Sequence, residues 1–186
     1  MKRIVILASG SGTNAENIIN YFKNNDDISV VQVLSNKENA TVLKRASRLG
    51  VANAHIQFNN SSELLKLLKS NADYVVLAGF LKKIPSSIIK AFPNKIINIH
   101  PALLPKYGGK GMYGMHVHNA VVSNREKESG ITIHYVNENY DEGTIIFQKK
   151  IAVLPIDSPE DVAEKIHVLE YEYFPKVIEN IIEKNG

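Results

Sequence analysis

Two polar residues interrupt an apolar run near the middle of the 186-residue chain. In the segment KIINIHPALLPKY, residues 95–107, Asn98 and His100 stand two positions apart among isoleucines. Because alternate side chains of a β-strand point to the same face, the two side chains are predicted to share one face. Pro101 has no N–H and cannot continue a strand ladder, so the strand is predicted to end directly after this pair.

The types of these two side chains favour acyl-transfer chemistry. The amide of Asn98 can donate a hydrogen bond to an oxygen that becomes negative, and the imidazole of His100 can move a proton near neutral pH. A nearby carboxylate would orient the histidine and favour its protonated form. The turn NENYDEG, residues 137–143, offers Asp141 for this role. On its own, however, Asp141 fits the description of an ordinary turn residue.

A second group of residues is typical of an anion site. In ILASGSGTNAENI, residues 6–18, an apolar strand runs through Gly10 and Gly12 into a helical pattern, which would direct backbone N–H groups at an anion. The spacing also fits the loose dinucleotide fingerprint, which requires an acid at the end of the second strand. Asn36 and Lys37 stand there instead, so we predict a monophosphate ligand. The alternative is a tight glycine turn without a ligand.

The secondary structure that must position these residues is predicted from the spacing of apolar residues, which alternates between strand-like and helix-like patterns. Short apolar runs rich in β-branched residues predict strands, and segments with helical spacing of apolar residues lie between them. This alternation predicts an α/β, Rossmann-like three-layer fold with a mostly parallel sheet. We expect strands at 4–8, 30–34, 74–78 and 95–99, and helices at roughly 14–24, 38–49, 61–70 and 84–91.

The pattern changes after residue 128. The apolar segments 130–136 and 144–154 flank a polar turn, which predicts an antiparallel extension of the sheet near the C-terminus. A long closing helix is expected from about residue 159. Ser158 is its predicted N-cap, and Asp161 would complete a capping box.

The composition limits the classes of protein that the chain can belong to. A hydrophobic content of 44% is sufficient for one core, and the net charge of +3 comes from scattered lysines, which argues against a nucleic-acid partner. The chain has no cysteine, which excludes disulfides and cysteine-ligated metals. No run approaches the ~18 apolar residues of a membrane span. We therefore expect a cytoplasmic protein without a membrane partner.

Four motifs resemble one enzyme family in their order and spacing. They are GSGTN (10–14), LAGFLKKI (77–84), NIHPALLPKY (98–107) and YDEG (140–143). Together they resemble the folate-dependent glycinamide ribonucleotide formyltransferases of purine synthesis, over nearly the whole chain. The Asn-x-His-Pro motif with a downstream aspartate is shared by the wider formyltransferase superfamily, whereas GSGTN is similar to the ribonucleotide version.

The resemblance implies a formyltransferase fold over residues 1–186 as a single domain. Its part up to about residue 100 would bind the ribonucleotide phosphate, and the remainder would complete the folate site and add the closing helix. The implied reaction transfers a formyl group from the co-substrate 10-formyltetrahydrofolate to the amine of glycinamide ribonucleotide, without a metal. The implied partners are these small molecules, and the protein would be a monomer or a homodimer.

The resemblance also implies roles for individual residues. The catalytic residues would be Asn98, His100 and Asp141. Residues that bind the phosphate and ribose would be Gly12, Thr13, Asn14 and Glu170. Residues that bind folate would be Leu81, Lys82, Lys83, Ile84, Asn98, Asn137, Glu138 and Tyr140.

The chain departs from the family in its basic residues. Members often carry an arginine after the third strand that helps to bind substrate or folate. This chain has no arginine between Arg48 and Arg125. Lys66 is one candidate replacement, and the contact stays unassigned.

The chain also departs from the family in the loop 108–121, which is longer than in the members compared. It carries His116 and His118. We interpret both as loop or active-site rim residues, because a metal site would need a third ligand within reach. His134 and His167 are interpreted as structural.

Three other functions remain open on the sequence. A methionyl-tRNA formyltransferase would share the catalytic residues but is expected to have an additional RNA-binding domain and a strongly basic face. A formyltetrahydrofolate hydrolase would use the same residues on water, usually with an extra amino-terminal domain. A non-catalytic nucleotide-binding module would need only GSGTN, and would leave Asn98, His100 and Asp141 unexplained.

Overall fold

A seven-stranded sheet forms the centre of the protein, with strand order β3-β2-β1-β4-β5-β6-β7. A computed structural model describes residues 1–58 and 60–185. Neighbouring strands from β1 to β5 pair in parallel, and β6 and β7 pair antiparallel at one edge. The strands are β1 (Lys2–Ala8), β2 (Ile28–Ser35), β3 (Ala52–His55), β4 (Tyr74–Leu77), β5 (Ile96–His100), β6 (Glu128–Tyr135) and β7 (Ile145–Ala152).

Helices cover both faces of the sheet. Ile4 and Ile6 of β1 pack in a core with four of the helices, α1, α2, α5 and α6, whereas Val5 and Leu7 pack in a second core with α3 and α4. This division follows from the alternation of side chains along a strand. None of the helices within residues 1–58 and 60–185 combines the length and apolar character of a membrane span. The helices are α1 (Thr13–Phe22), α2 (Thr41–Arg48), α3 (Ser61–Asn71), α4 (Ser86–Ala91), α5 (Met115–Ser123) and α6 (Pro159–Lys184).

The predicted fold class is confirmed. Every predicted strand and helix is present, and no boundary differs from its prediction by more than three residues. The capping box of α6 is also present, since the Asp161 N–H donates to Ser158 Oγ at 3.1 Å and the Ser158 N–H donates to Asp161 Oδ2 at 2.8 Å.

Two elements were not predicted from the sequence. The edge strand β3 has the sequence ANAH, which contains no apolar run. The interpretation of residues 108–121 as a loop is wrong for their second half, where α5 buries Val117 and Val121. These two valines have helical i, i+4 spacing, but the glycine-rich segment before them hides the start of the helix.

A buried serine joins three strand ends at the carboxyl edge of the sheet. The Ser9 N–H donates to Gly79 O at 3.0 Å, and the Ser9 hydroxyl donates to Asn36 Oδ1 at 2.6 Å. The same hydroxyl accepts the Leu81 N–H at 2.9 Å. Asn36, which stands where a dinucleotide-binding protein would carry an acid, therefore has a structural hydrogen bond. These bonds fix the loops that follow β1, β2 and β4.

A buried threonine fixes the segment that follows β5. The hydroxyl of Thr132, which lies opposite His100 in the β5–β6 register, donates to Ala102 O at 2.7 Å. It also accepts the Leu104 N–H at 3.0 Å and Gln148 Nε2–H at 2.9 Å. One hydroxyl therefore makes three hydrogen bonds that set the path of the chain beyond His100.

We predict that Thr132→Val lowers the free energy of unfolding by about 1–3 kcal/mol, because it leaves buried polar groups without their partner. Urea unfolding followed by circular dichroism measures this loss. The matched control is Thr144→Val, at an exposed position, which is expected to change stability by less than about 0.5 kcal/mol. Equal stability of the Thr132 variant and the parent would contradict the assigned role of the hydroxyl.

Candidate active site

A cleft of about 630 Å³ lies at the carboxyl ends of the parallel strands. This volume is within the range of small-molecule sites. Its position is the one at which open α/β sheets bind ligands. The lining residues come from the segments 10–14, 78–82 and 98–101, from the loop and first turn of α5 at 109–115 with His118, from Tyr140 and Asp141, and from Ala163, His167 and Glu170 of α6.

The amide of Asn98 is oriented by a histidine that the sequence interpretation treated as structural. His134 Nδ1–H donates to Tyr135 O at 2.9 Å, so Nε2 of the neutral ring is an acceptor. Asn98 Nδ2 lies 3.0 Å from that Nε2 and donates to it. The amide nitrogen carries a second N–H, and Asn98 lines the cleft. The contact with His134 therefore selects the orientation in which Asn98 acts as a donor.

A main-chain carbonyl likewise determines the tautomer of His100. Its Nε2 lies 2.7 Å from Tyr107 O, and because a carbonyl can only accept, Nε2 carries the hydrogen. Nδ1 is therefore the nitrogen that gains and loses a proton. Asp141 Oδ2 lies 3.5 Å from this Nδ1. The structure thus brings together Asn98, His100 and Asp141, the three predicted catalytic residues.

The carboxylate of Asp141 is surrounded by groups that favour its ionised form. Gly109 N–H donates to Oδ2 at 2.9 Å, and His100 Nδ1 lies 3.5 Å from the same oxygen. Burial raises the pKa of Asp141, but its polar surroundings, among them His100 and the Gly109 N–H, outweigh burial and hold the pKa below its ordinary value. Asp141 is therefore a carboxylate at neutral pH, and its negative charge faces His100.

Two opposing effects act on the protonation of His100, which is only 3% exposed. Burial is the larger effect and lowers the pKa of His100, because it disfavours the charged imidazolium. The charge of Asp141 and the Tyr107 carbonyl raise the pKa of His100, yet the net pKa stays below its ordinary value. The charge of Asp141 thus raises the pKa of His100, as expected from the sequence, but the opposing effect of burial is larger.

Residues 10–14, which we call the anion loop, present unpaired N–H groups to the cleft. Gly12 has a φ of 78° and precedes the first residue of α1. The backbone N–H groups of Ser11, Gly12, Thr13 and Asn14 make no hydrogen bond within residues 1–58 and 60–185. N–H groups at a helix N-terminus are a general binding site for anions.

Glu170 links the anion loop to the closing helix. Glu170 is 6% exposed, and its carboxylate accepts Asn14 Nδ2–H at 2.9 Å through Oε2. The same oxygen lies 2.9 Å from His167 Nδ1, and this hydrogen bond raises the pKa of His167. His167 also lines the cleft, so its interpretation as structural was incomplete. A signal was available, because residues three apart in a helix share a face.

The predicted folate-binding residues are only partly brought to the cleft. Leu81, Lys82, Asn98 and Tyr140 are among its lining residues. Ile84 is buried in the core beside α3 and α4. The remaining predicted folate residues, Lys83, Asn137 and Glu138, are outside the lining.

The cationic residues of the cleft are lysines. Lys82 and Lys110 line it, whereas Lys66 is exposed on α3 and is outside the lining. Lys110 belongs to the glycine-rich segment before α5, which therefore forms part of the cleft wall. Lys110 could not be selected from residue types alone, because the path of this segment depends on left-handed glycines such as Gly109 and Gly111.

The two histidines of α5 differ in their surroundings. His118 is buried against the cleft, and burial lowers its pKa below the ordinary value. His116 is exposed and packs edge-on against Tyr113. The described part of the chain contains no group of three or more histidine, cysteine or acidic residues in a metal-binding arrangement.

Comparisons with known proteins agree with this geometry. Residues 2–178 match the family described as formyl transferase. A phosphoribosylglycinamide formyltransferase of Haemophilus influenzae is 36% identical over 96% of this chain and 86% of its own length. A chloroplastic phosphoribosylglycinamide formyltransferase of Arabidopsis thaliana is 47% identical over 66% of this chain, which spans only 42% of that relative's length.

A solved structure extends the likeness to three dimensions. The crystal structure of phosphoribosylglycinamide formyltransferase from Bacillus halodurans superimposes with a TM-score of 0.90 at 31% identity, over 100% of this chain and 97% of that one. The similarity therefore includes both the sheet and the strand ends that carry the cleft. With the family match extending over residues 2–178, this chain belongs to the formyl transferase family.

Proposed function

We propose that this protein transfers the formyl group of 10-formyltetrahydrofolate to the amine of glycinamide ribonucleotide. The products are formylglycinamide ribonucleotide and tetrahydrofolate. The observation that carries the proposal is the convergence of Asn98, His100 and Asp141 in the same cleft as the anion loop. The names of the relatives support the same reaction.

The anion loop and Glu170 are suited to the ribonucleotide. The unpaired N–H groups of Gly12, Thr13 and Asn14 would bind the phosphate, as the sequence prediction assigned them. Glu170 Oε1 makes no hydrogen bond within the described residues, whereas Oε2 is already bonded, so Oε1 would accept hydrogen bonds from the ribose hydroxyls. In this arrangement both the first 100 residues and α6 contribute to ribonucleotide binding.

A second group of lining residues is suited to folate. The exposed side chains of Leu81 and Tyr140 offer apolar surface for the pterin, and Asn98 and His100 line the same cleft. Lys82 and Lys110 would pair with the folate carboxylates, in the role for which Lys66 was considered. The cleft is lined by one copy of the chain, so both a monomer and a homodimer are compatible with the proposal.

In the first chemical step the substrate amine attacks the formyl carbon and forms a new C–N bond. Negative charge develops on the formyl oxygen, and the second N–H of Asn98 would donate a hydrogen bond to it. A preorganised donor of this kind stabilises the transition state more than the ground state. The contact between Asn98 and His134 supplies the preorganisation, because it fixes which atom of the amide faces the cleft.

In the second step the bond between the formyl carbon and folate N10 breaks. His100 donates the proton on Nδ1 to the departing nitrogen, and the proton released by the attacking amine restores the imidazolium. No proton is gained or lost overall. Asp141 stabilises the imidazolium form, while burial of the ring makes that form a stronger acid.

The test of the proposal is to mix the protein with glycinamide ribonucleotide and a 10-formylfolate and to follow the appearance of deformylated folate. Formation of deformylated folate that depends on the ribonucleotide supports the proposal. The control omits the ribonucleotide, and release of formate at an equal rate in that control would identify a hydrolase instead. Absence of reaction in both samples would contradict formyl transfer.

We predict that Asn98→Ala and His100→Ala each lower kcat on the order of 10²–10³-fold, the usual effect of removing one such group. Ribonucleotide affinity should change little, because neither residue lies in the anion loop. Steady-state kinetics and ligand titration measure the two effects. The control is His55→Ala, at an exposed position on β3. A parent-like kcat in either cleft variant would contradict the mechanism.

We predict that Asp141→Asn shifts the pH dependence of kcat. Removal of the charge that raises the pKa of His100 lowers that pKa further, so less imidazolium is present at neutral pH. The activity deficit should therefore be large at neutral pH and should narrow as the pH falls. The measurement is kcat against pH for the parent, Asp141→Asn and the exposed neighbour Glu142→Gln. If the Asp141 variant kept the parent's profile, Asp141 would be a plain turn residue.

A further inference from the structure

The helix α2 packs directly against the anion loop. Val42 N–H donates to Gly10 O at 3.2 Å, and Arg45 Nε–H donates to Ser11 O at 2.9 Å. The Cα of Gly12 is so close to α2 that an added Cβ would lie 2.3 Å from Val42 Cγ2. The carbonyl oxygens of Gly10 and Ser11 and the Cα of Gly12 therefore all lie against α2.

The planarity of the peptide bond connects these contacts to the anion site. In a trans peptide the C=O and the following N–H point in opposite directions. Because Arg45 directs the Ser11 C=O towards α2, the Gly12 N–H of the same peptide must point away from α2. Gly12 lines the cleft, and its N–H makes no hydrogen bond within the described chain. The orientation of this donor thus depends on Arg45.

The guanidinium of Arg45 is itself fixed by a carboxylate. Arg45 Nη1 pairs with Glu16 Oε2 on α1, and Arg48 Nη2 pairs with Glu16 Oε1. Burial raises the pKa of Glu16, but the two arginines outweigh it and lower the pKa below its ordinary value. The side chain of Arg45 is 30% exposed, whereas that of Arg48 is 66% exposed. Arg45 alone of the two arginines contacts the loop.

We propose that Arg45 is a positioning residue for the substrate phosphate, which it serves by fixing the Ser11–Gly12 peptide with its N–H towards the cleft. Arg45 is outside the cleft lining, so it acts through the peptide and does not touch the phosphate. The inference rests on the proposed function, because it takes the phosphate of glycinamide ribonucleotide as the anion.

The kinetic test compares Arg45→Met with Arg48→Met. Each variant loses one ion pair with Glu16, but only Arg45→Met loses the contact with Ser11 O. We expect Arg45→Met to raise the KM for the ribonucleotide roughly tenfold or more, the effect of losing one hydrogen bond of a charged donor. For Arg45→Met, the kcat and the KM for folate should stay within about twofold of the parent values. For Arg48→Met, the kcat and both KM values should stay within the same range. Equal effects of both variants would overturn the proposal.

A substrate that lacks the phosphate separates positioning from general damage. With glycinamide ribonucleoside as acceptor, Arg45→Met and the parent should have equal kcat/KM, because the anion loop then has no phosphate to bind. A loss of the same size on this acceptor would show that Arg45 only stabilises the fold. If Arg45→Met does not fold, Arg45→Lys replaces it, since lysine keeps a donor and a charge but has a different geometry.

Binding of inorganic phosphate tests the inference without the reaction. In the parent, phosphate should shift the ¹⁵N–¹H signal of Gly12, and Arg45→Met should need a higher phosphate concentration for the same shift, whereas Arg48→Met should match the parent. If the parent shows no formyl transfer but this difference appears, the proposed function fails and the role of Arg45 stands. If phosphate does not shift the Gly12 signal in the parent, the role of Arg45 is wrong.

Discussion

Main-chain carbonyls determine what two buried histidines, His100 and His134, can do. Tyr107 O accepts from Nε2 of His100, and Tyr135 O accepts from Nδ1 of His134. Each carbonyl fixes one tautomer, and each leaves the other nitrogen for a different task. In His100 that nitrogen faces Asp141 and can exchange a proton, whereas in His134 it accepts from Asn98. His100, the proposed acid, and Asn98, the proposed oxyanion donor, therefore both depend on backbone atoms that the fold must place.

The backbone that places these atoms adopts uncommon conformations. Tyr107 and Asp141 have φ values of 56° and 57°, in the left-handed region that side chains other than glycine rarely adopt. Residues in such conformations persist when the surrounding structure specifies them, and they cluster at functional sites. Here the surrounding contacts are the Tyr107 carbonyl bond to His100 and the Gly109 N–H bond to Asp141. The same contacts that constrain the backbone also complete the site.

The part of the site that could be predicted from the sequence is the part that depends on local geometry. Strand alternation was sufficient to pair Asn98 with His100, and Pro101 was sufficient to end their strand. His134 was interpreted as structural because its role depends on the antiparallel register, in which it lies opposite Asn98. Register is determined by the geometry of the connecting turn and by packing, and residue types alone do not specify it.

The positions of Asp141 and Arg45 were also difficult to predict, because their contacts are with residues far away in the sequence. Asp141 could be named as a candidate, but its approach to His100 depends on the turn after β6, and the resemblance to the family was needed to select it. The contact of Arg45 with Ser11 O joins two crossover connections, and nothing in either segment indicates the other. In contrast, the sheet and its covering helices follow from apolar periodicity, which each segment carries in its own residues.

The charges of the cleft favour coupling between anion binding in the loop and the protonation of His100. Glu170 raises the pKa of His100 through space, although the effect is smaller than that of Asp141. A phosphate in the anion loop would bring further negative charge to the same side, and negative charge always favours imidazolium over neutral imidazole. Burial lowers the pKa of His100, so an anion bound in the loop would supply part of the field that opposes burial. Binding of an anion in the loop and protonation of His100 are therefore expected to favour each other, because linked equilibria act reciprocally.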